Sequence, residues 1–286
     1  MTHLLRQLQN LKKLIAATPD ETSRKHLEAL SGNAFNVEIT TKRTTVLDQL
    51  ETYSSTFLPF ADYVSMLPQL RVRQYSISSS SLANPTICTF TVGVLDLPAL
   101  SAPEGNDKRF LGVAPTFLSN LQPGDHVHVN VKPSHPSFHL PTDFGNVSVS
   151  MVVAGTGVAP FRGFVQERAR LWEAGQDLSP AVLFVGCRHP EQDALYAAES
   201  KDWGEKGAVK VRYAFSQYER NGGGGCQYVQ DRFWKEKGEV KDLVRKGAKI
   251  FVCGHGRVAE AVKQKCLDLW LETRKEEGRQ RSGGEG

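Results

Sequence analysis

The 286-residue sequence has little cysteine, no long apolar run and only a small excess of positive charge. Its five cysteines are odd in number and form no C-x-x-C pair, which argues against a disulfide framework and favours a reducing cytoplasm. The N-terminal apolar stretches are short and are soon followed by charges, so we predict no signal peptide and no integral membrane segment. The net charge of +4 is small, half of it lies in the tail 263–281, and we expect no nucleic-acid partner.

The spacing of apolar residues follows three different patterns along the chain. Apolar residues recur at helical spacing from Leu4 to about Leu67, which predicts a helical segment. From Arg71 to about Pro141, β-branched alternation in TICTFTVGVL and HVHVNV predicts antiparallel strands and a small barrel. From Val147, short apolar strands alternate with helices, which indicates a parallel, Rossmann-like sheet. We therefore predict three segments, at 1–70, 71–145 and 146–286.

The string RVRQYSISSS places a cation, an aromatic ring and a hydroxyl close together on a predicted strand, at Arg73, Tyr75 and Ser76. A flavin needs a cation for its pyrophosphate, an aromatic plane for its ring and a hydrogen-bonding group near its reactive nitrogen N5. An ordinary barrel strand with a surface arginine and a serine-rich turn is the alternative, and composition alone favours it.

A second string, AGTGVAPFRG at 154–163, directly follows the strand VSVSMVV and opens a helix. Gly155 and Gly157 let the backbone approach a pyrophosphate, and the helix N-terminus favours an anion. The strand, glycine turn, helix context makes a phosphate-binding turn more credible than a glycine turn without a ligand. Arg188 ends the next strand, where ligands gather in open α/β sheets.

These strings resemble the signatures of the diflavin reductase family, which includes cytochrome P-450 reductase, nitric oxide synthase reductase and the reductase half of self-sufficient fatty-acid monooxygenases. The resemblance runs from about Leu4 to Leu271. It implies a mixed α+β and α/β architecture like ferredoxin–NADP reductase. An antiparallel FAD barrel with a helical connecting segment is followed by a parallel-sheet NADP(H) domain.

The resemblance also assigns the FAD site. Arg73 would bind FAD phosphate, Tyr75 would pack on the flavin and Ser76 would approach its N5. The pyrophosphate would lie at a helix start formed by Gly112, Val113, Ala114 and Thr116. Pro115 stands where the family has Ser or Thr, which removes one hydroxyl and one N–H donor.

For NADP(H), the resemblance assigns the residues Gly155, Thr156, Gly157, Pro160, Arg188, Ser216, Tyr228 and Gln230. Two family cations near the 2′-phosphate are absent, because Gln217 and Gln227 stand in their places. Arg220 lies on the same loop as a substitute.

The resemblance makes Ser76, Cys253 and His255 the catalytic residues. The string FVCGHG at 251–256 matches a family motif in which a cysteine lies beside the nicotinamide and an acid stabilises charge or moves protons. His255 replaces that acid, and a histidine supplies no permanent negative charge. By itself, Cys253 also fits a buried core cysteine.

A cluster of histidines raises the question of a metal site. His126, His128, His135 and His139 lie in one β-rich stretch, but no cysteine or carboxylate spacing completes a set of ligands, so we expect no metal.

The resemblance implies a reductase that passes electrons from NADPH through FAD to an FMN-domain or haem-protein acceptor, either separate or lost from the chain. Two alternatives stay open: a stand-alone reductase of the ferredoxin or flavodoxin type, and a truncated or decayed fragment that binds nucleotide without efficient catalysis. The chain resembles the family module cut at both ends, without its first barrel strands and its terminal aromatic residue. We therefore expect FAD to be held loosely and activity to be impaired.

Overall fold

The computed structural model describes residues 3–218 and 226–282, and Arg220 lies outside them. The chain packs into two units, which are described separately. Unit 1 comprises Met1–Arg73 and Val94–Asp125, and unit 2 comprises Gln74–Gly93 and His126–Gly286. The division into three consecutive segments stays a prediction.

Unit 1 is mostly helical, as the apolar spacing predicts. Its elements are α1 (His3–Ala16), α2 (Glu21–Ser31), a π-helix (Phe35–Thr41), α3 (Val46–Thr52), α4 (Phe60–Met66), β1 (Asp96–Pro98), β2 (Arg109–Leu111) and α5 (Val113–Ser119). Gly32 is the C-cap of α2. A core of buried side chains joins the first helices through Leu11, Leu14, Leu27, Phe35 and Ile39.

Helix α3 has a local start signal and a tertiary anchor. Thr45 and Asp48 form a capping box, in which each side chain accepts the other residue's backbone N–H. Lys108 Nζ then lies 2.6 Å from carboxylate oxygens of both Asp48 and Glu51. This pair of contacts fixes the turn before β2 against α3.

Unit 2 contains the predicted parallel sheet. Its elements are β3 (Val149–Ala154), a 3-10 turn (Gly155–Gly157), α6 (Val158–Glu173), β4 (Ala181–Cys187), α7 (Ala197–Glu205), β5 (Lys210–Phe215), α8 (Val229–Lys235), α9 (Lys237–Arg245), β6 (Lys249–Cys253) and α10 (Gly256–Ser282). In the described part of the chain the strand order is β5-β4-β3-β6, and each neighbouring pair is parallel.

Alternate side chains of β3 enter different cores. Val149, Met151 and Val153 share a cluster with Phe161 of α6, whereas Val152 lies in a second cluster with Phe233 of α8. A strand with apolar side chains on both faces reads as a continuous apolar run, which explains why VSMVVA is recognisable as a buried strand.

The prediction of extensive antiparallel strands in 71–145 is wrong for most of that stretch. Among the described residues there, ordered pairing is limited to β1 with β2 and an isolated bridge between Ile77 and Phe90. The HVHVNV segment forms no strand, and Val129 and Val131 are exposed. Alternation indicates which side chains share a face, but a strand forms only where another strand takes its backbone hydrogen bonds.

Candidate functional site

The carboxyl ends of the four parallel strands meet at one edge of the unit 2 sheet. β3 is followed by the glycine turn, and β6 on its other side is followed by Gly254 and His255. The chain leaves β3 towards β4 on one side and returns to β6 on the other, so the strand order reverses between β3 and β6. Such a switch point is where open α/β sheets bind dinucleotides.

The glycine turn packs directly on the end of β6. A Cβ atom on Gly157 would lie 2.8 Å from the Cys253 carbonyl oxygen and 3.1 Å from Gly254 Cα. Gly155 has a positive φ of 58°, and a Cβ there would meet nothing within 4 Å. One glycine therefore permits close packing, while the other leaves exposed backbone that a pyrophosphate can approach.

Cys253 and His255 follow one another at this crevice. The Cys253 thiol is partly buried, and burial raises its pKa, so it is neutral at physiological pH. His255 is exposed, and its Nδ1 accepts the Arg257 backbone N–H at 3.3 Å. Through this bond the His255 side chain caps the start of α10.

The ends of β4 and β5 bring several predicted NADP(H) residues together. The Ser216 N–H donates to the Cys187 carbonyl and the Gln217 N–H to the Arg188 carbonyl, both at 3.0 Å. Gln227 Nε2 donates to the Ser216 carbonyl at 3.3 Å. Sequence positions as distant as 188 and 227 thus form one cluster at the sheet edge.

Arg188 has an anionic partner. Its Nε lies 2.9 Å from Asp193 Oδ2, and its backbone N–H also donates to that carboxylate. Burial opposes ionisation of Asp193, but hydrogen bonds from the backbone of His189 and from Arg188 lower the pKa of the carboxyl group overall. Asp193 is ionised at neutral pH and offsets part of the Arg188 charge.

Tyr228 and Gln230 lie at the start of α8. Tyr228 is the N-cap residue and its ring is exposed. The helix start is beside the end of β4, since a Cβ on Gly186 would lie 3.1 Å from Val229 Cβ. Pro160 is buried in the first turn of α6, where a proline costs no helical hydrogen bond, so the structure places it in packing and not on an exposed surface.

The predicted FAD residues divide between the two units. In unit 1, Arg73 Nη1 donates to the Arg71 carbonyl at 2.8 Å, and Gly112 is the N-cap of α5, which confirms a helix start there. Thr116 Oγ1 is buried in this helix and has no hydrogen-bond partner among the described residues. In unit 2, the Tyr75 ring stacks on Phe90 with centroids 5.6 Å apart, and Ser76 is exposed.

Two polar residues at the site were not predicted as such. Asp193 could have been suspected as a carboxylate five residues after Arg188. Arg162 belongs to the glycine-turn string, and its contacts with Ser78 and Glu199 could not have been read from the sequence.

Within the described ranges, no group of three or more histidine, cysteine or acidic residues has the geometry to hold a metal ion. No described helix is long and apolar enough to cross a membrane.

Comparisons with known proteins identify two domain types in the chain. Residues 5–117 match the family model described as FAD binding domain, and residues 151–264 match the oxidoreductase NAD-binding domain. The chain is 45% identical over 271 residues, 95% of its length, to a bifunctional cytochrome P-450/NADPH–P-450 reductase of Fusarium oxysporum.

Two further relatives have similar names. A bifunctional cytochrome P-450/NADPH–P-450 reductase of Acremonium egyptiacum is 42% identical over 94% of this chain. A self-sufficient cytochrome P-450 monooxygenase of Phanerodontia chrysosporium is 43% identical over 93%. The chain spans about a quarter of the length of these relatives, 25% in each case.

Proposed function

Because the chain belongs to the FAD- and NADP(H)-binding oxidoreductases of the NADPH–cytochrome P-450 reductase type, we propose that it transfers electrons from NADPH through FAD to a haem or FMN protein. The observation that carries this proposal is the switch-point crevice. There Gly157 packs on the end of β6, and Cys253 and His255 follow at the same edge.

The crevice fits a nicotinamide dinucleotide. The Gly155 to Gly157 turn has exposed backbone for the pyrophosphate, and α6, which follows it, directs its positive dipole end to the same place. Arg188, Ser216 and Tyr228 lie at the ends of β4 and β5 and the start of α8, where they would hold the adenosine 2′-phosphate and adenine. Cys253, as a neutral thiol, would adjoin the nicotinamide without adding charge.

FAD fits the residues that each unit offers. The buried Thr116 Oγ1, which has no partner in the part of the chain that the structure describes, has hydrogen-bonding capacity for a phosphate oxygen, and a buried hydroxyl is costly when it stays unsatisfied. Arg73 would add a cation, Tyr75 an aromatic plane and Ser76 a hydroxyl near flavin N5. Bound FAD would accept two electrons from NADPH and release them one at a time.

The acceptor is proposed from the relatives. Their names join a cytochrome P-450 to an NADPH–P-450 reductase in one protein, which supports a haem protein as the final acceptor. An FMN domain, in the same chain or separate, would be the intermediate carrier. The cysteine content favours a reducing compartment such as the cytoplasm.

Reconstitution with FAD tests this function. The purified chain would be titrated with FAD, freed of excess flavin and mixed anaerobically with NADPH while absorbance near 450 nm is recorded. We expect bleaching of the flavin, followed by reduction of an artificial one-electron acceptor on its addition. Flavin that binds but is not bleached would favour a fragment that binds nucleotide without catalysis.

A further inference from the structure

Helix α6 starts at the glycine turn and carries polar side chains that hold another segment of unit 2. Gln166 Oε1 accepts the Ser80 backbone N–H at 2.8 Å, and Ser80 Oγ lies 3.1 Å from Glu167 Oε2. The backbone approach is close, since a Cβ on Gly163 would lie 3.4 Å from the Ser79 carbonyl oxygen. The RVRQYSISSS string, proposed to bind flavin, is therefore hydrogen-bonded to α6, the helix proposed to bind the dinucleotide.

Arg162 makes the central connection. Its Nη1 donates to the Ser78 carbonyl at 2.8 Å and to Thr89 Oγ1 at 3.3 Å. Its Nε and Nη2 lie 3.0 and 2.8 Å from Glu199 Oε2, and its side chain is only 15% exposed. A guanidinium can serve these acceptors at once because its five N–H donors lie in one rigid plane.

Two of the Arg162 acceptors, Ser78 and Thr89, belong to a short hairpin that ends near Tyr75. The Ser78 N–H donates to the Thr89 carbonyl at 2.7 Å, and their hydroxyls are 2.9 Å apart. The next pair is the bridge between Ile77 and Phe90, and Phe90 stacks on Tyr75. A shift of the Arg162 contacts would therefore move the ring proposed to pack on the flavin.

Tyr196, the N-cap residue of α7, supports the same network. Its ring lies 4.6 Å from the Arg162 guanidinium carbon, and its hydroxyl is 2.7 Å from Thr91 Oγ1. Tyr196 has a positive φ of 58°, a conformation that costs an aromatic residue energy and persists only where surrounding contacts impose it. The guanidinium of Arg162 on α6 thus contacts three other segments of unit 2, which contain Ser78, Thr89 and the start of α7.

We propose that Arg162 is a positioning residue that fixes the Tyr75–Phe90 hairpin relative to the glycine turn, and thereby sets the approach of nicotinamide to flavin. This inference rests on the proposed function. Arg162 acts through the hairpin and touches neither reacting ring. A misplacement of about 1 Å costs roughly a hundredfold in rate for reactions that depend on orientation, so a small displacement has a large effect.

Kinetics of the variant Arg162→Met test the proposal, because methionine keeps an apolar stem and removes the fork. We expect NADPH-driven flavin reduction to slow by about tenfold to a hundredfold, while the Kd for NADP⁺ changes less than threefold. Arg162→Lys restores the charge without the planar fork and should fold even if the methionine variant does not. We expect its flavin reduction to stay at least about fivefold slower than that of the parent protein. Full rescue by lysine would overturn the proposal.

Arg170→Met is the matched control on the same helix, since Arg170 is 51% exposed and pairs only with Glu173 within the described residues. Its rate of flavin reduction should match that of the parent protein. A rate as low as that of Arg162→Met would show that loss of any positive charge from α6 slows flavin reduction. That result would overturn the role of the Arg162 guanidinium.

Hydrogen exchange supplies a readout that needs no cofactor. In the protein without FAD, the Ser78 and Ser80 amides should exchange at least about tenfold faster in Arg162→Met than in the parent or in Arg170→Met. If NADPH reduces the parent protein, an unchanged rate of amide exchange or of flavin reduction in Arg162→Met would overturn the positioning role. Failure of NADPH to reduce the parent protein would instead refute the proposed function, and exchange would still show whether Arg162 fixes the hairpin.

Discussion

Gly157 lies so close to the end of β6 that a Cβ on it would be 2.8 Å from the carbonyl oxygen of Cys253. The contact would join a Cβ atom, bonded directly to the backbone, to a backbone carbonyl oxygen. No flexible side chain could move to relieve it. The glycine turn and the Cys253 strand end therefore share one backbone arrangement, and neither can be altered without the other.

Gly157→Ala is expected to lower the free energy of unfolding by about 1 to 3 kcal/mol and to weaken binding of NADP⁺ at least tenfold. The added methyl group forces the glycine turn away from β6 and displaces the N–H groups proposed to bind pyrophosphate. Urea denaturation and a coenzyme titration measure the two effects. Gly238→Ala in α9 is the control, because a Cβ there meets nothing within 4 Å, and it should raise the free energy of unfolding by up to about 1 kcal/mol and leave NADP⁺ binding unchanged. Equal behaviour of the two variants would contradict the packing argument.

Coenzyme discrimination should be weak, with NADPH preferred over NADH by less than a thousandfold. Asp193 offsets part of the Arg188 charge, Gln217 is exposed and uncharged, and the Gln227 amide is engaged by the Ser216 carbonyl. Gln217→Arg is expected to tighten NADPH by about one to two decades, the value of a charge-assisted hydrogen bond, without changing NADH affinity. Equilibrium titrations with both coenzymes measure the ratio.

Asp193→Asn provides the complementary test. Asparagine can still accept a backbone N–H from the Arg188 loop but no longer neutralises its guanidinium, so NADPH should bind several-fold tighter and NADH unchanged. Weaker NADPH binding in this variant would show that the carboxylate positions Arg188 more than it offsets the charge.

The sequence predicts the α/β half of the molecule well, for a physical reason. Strands such as β3 and β4 are buried on both faces and read as apolar runs, and the glycine turn between β3 and α6 is a local signal. HVHVNV carries an equally clear alternation but forms no strand, because no strand among the described residues pairs with its backbone. Arg162 could not be recognised as a connector, since its contacts reach residues 84 and 37 positions away.

Thiol reactivity should follow burial. Cys88 is exposed, whereas Cys187 is buried and burial raises the pKa of its thiol to about 11. Because the thiolate is the reactive form, iodoacetamide at pH 8 should modify Cys88 at least about a hundredfold faster than Cys187. Mass spectrometry of timed digests measures both rates, and denaturation in urea should make them similar. Rapid modification of Cys187 in the folded protein would contradict the burial of its thiol.

His255 occupies a position where a carboxylate would serve two purposes. It is the residue before α10, and its Nδ1 accepts the Arg257 N–H, as an N-cap side chain does. Aspartate and asparagine are among the best N-cap residues, so either substitution preserves the helix start. Only aspartate adds a negative charge beside the proposed nicotinamide site, which allows the effect of charge to be separated from that of capping.

His255→Asp is therefore expected to speed flavin reduction by about threefold to tenfold, because a fixed carboxylate stabilises the positive charge that develops on the nicotinamide, and a neutral imidazole does not. His255→Asn should leave the rate close to that of the parent protein, since it caps α10 without charge. Anaerobic stopped-flow measurements at saturating NADPH compare the three proteins, and thermal unfolding checks that both variants retain the fold. An equal or slower rate for aspartate would refute the electrostatic argument. Equal acceleration by both variants would assign the effect to a better-ordered start of α10.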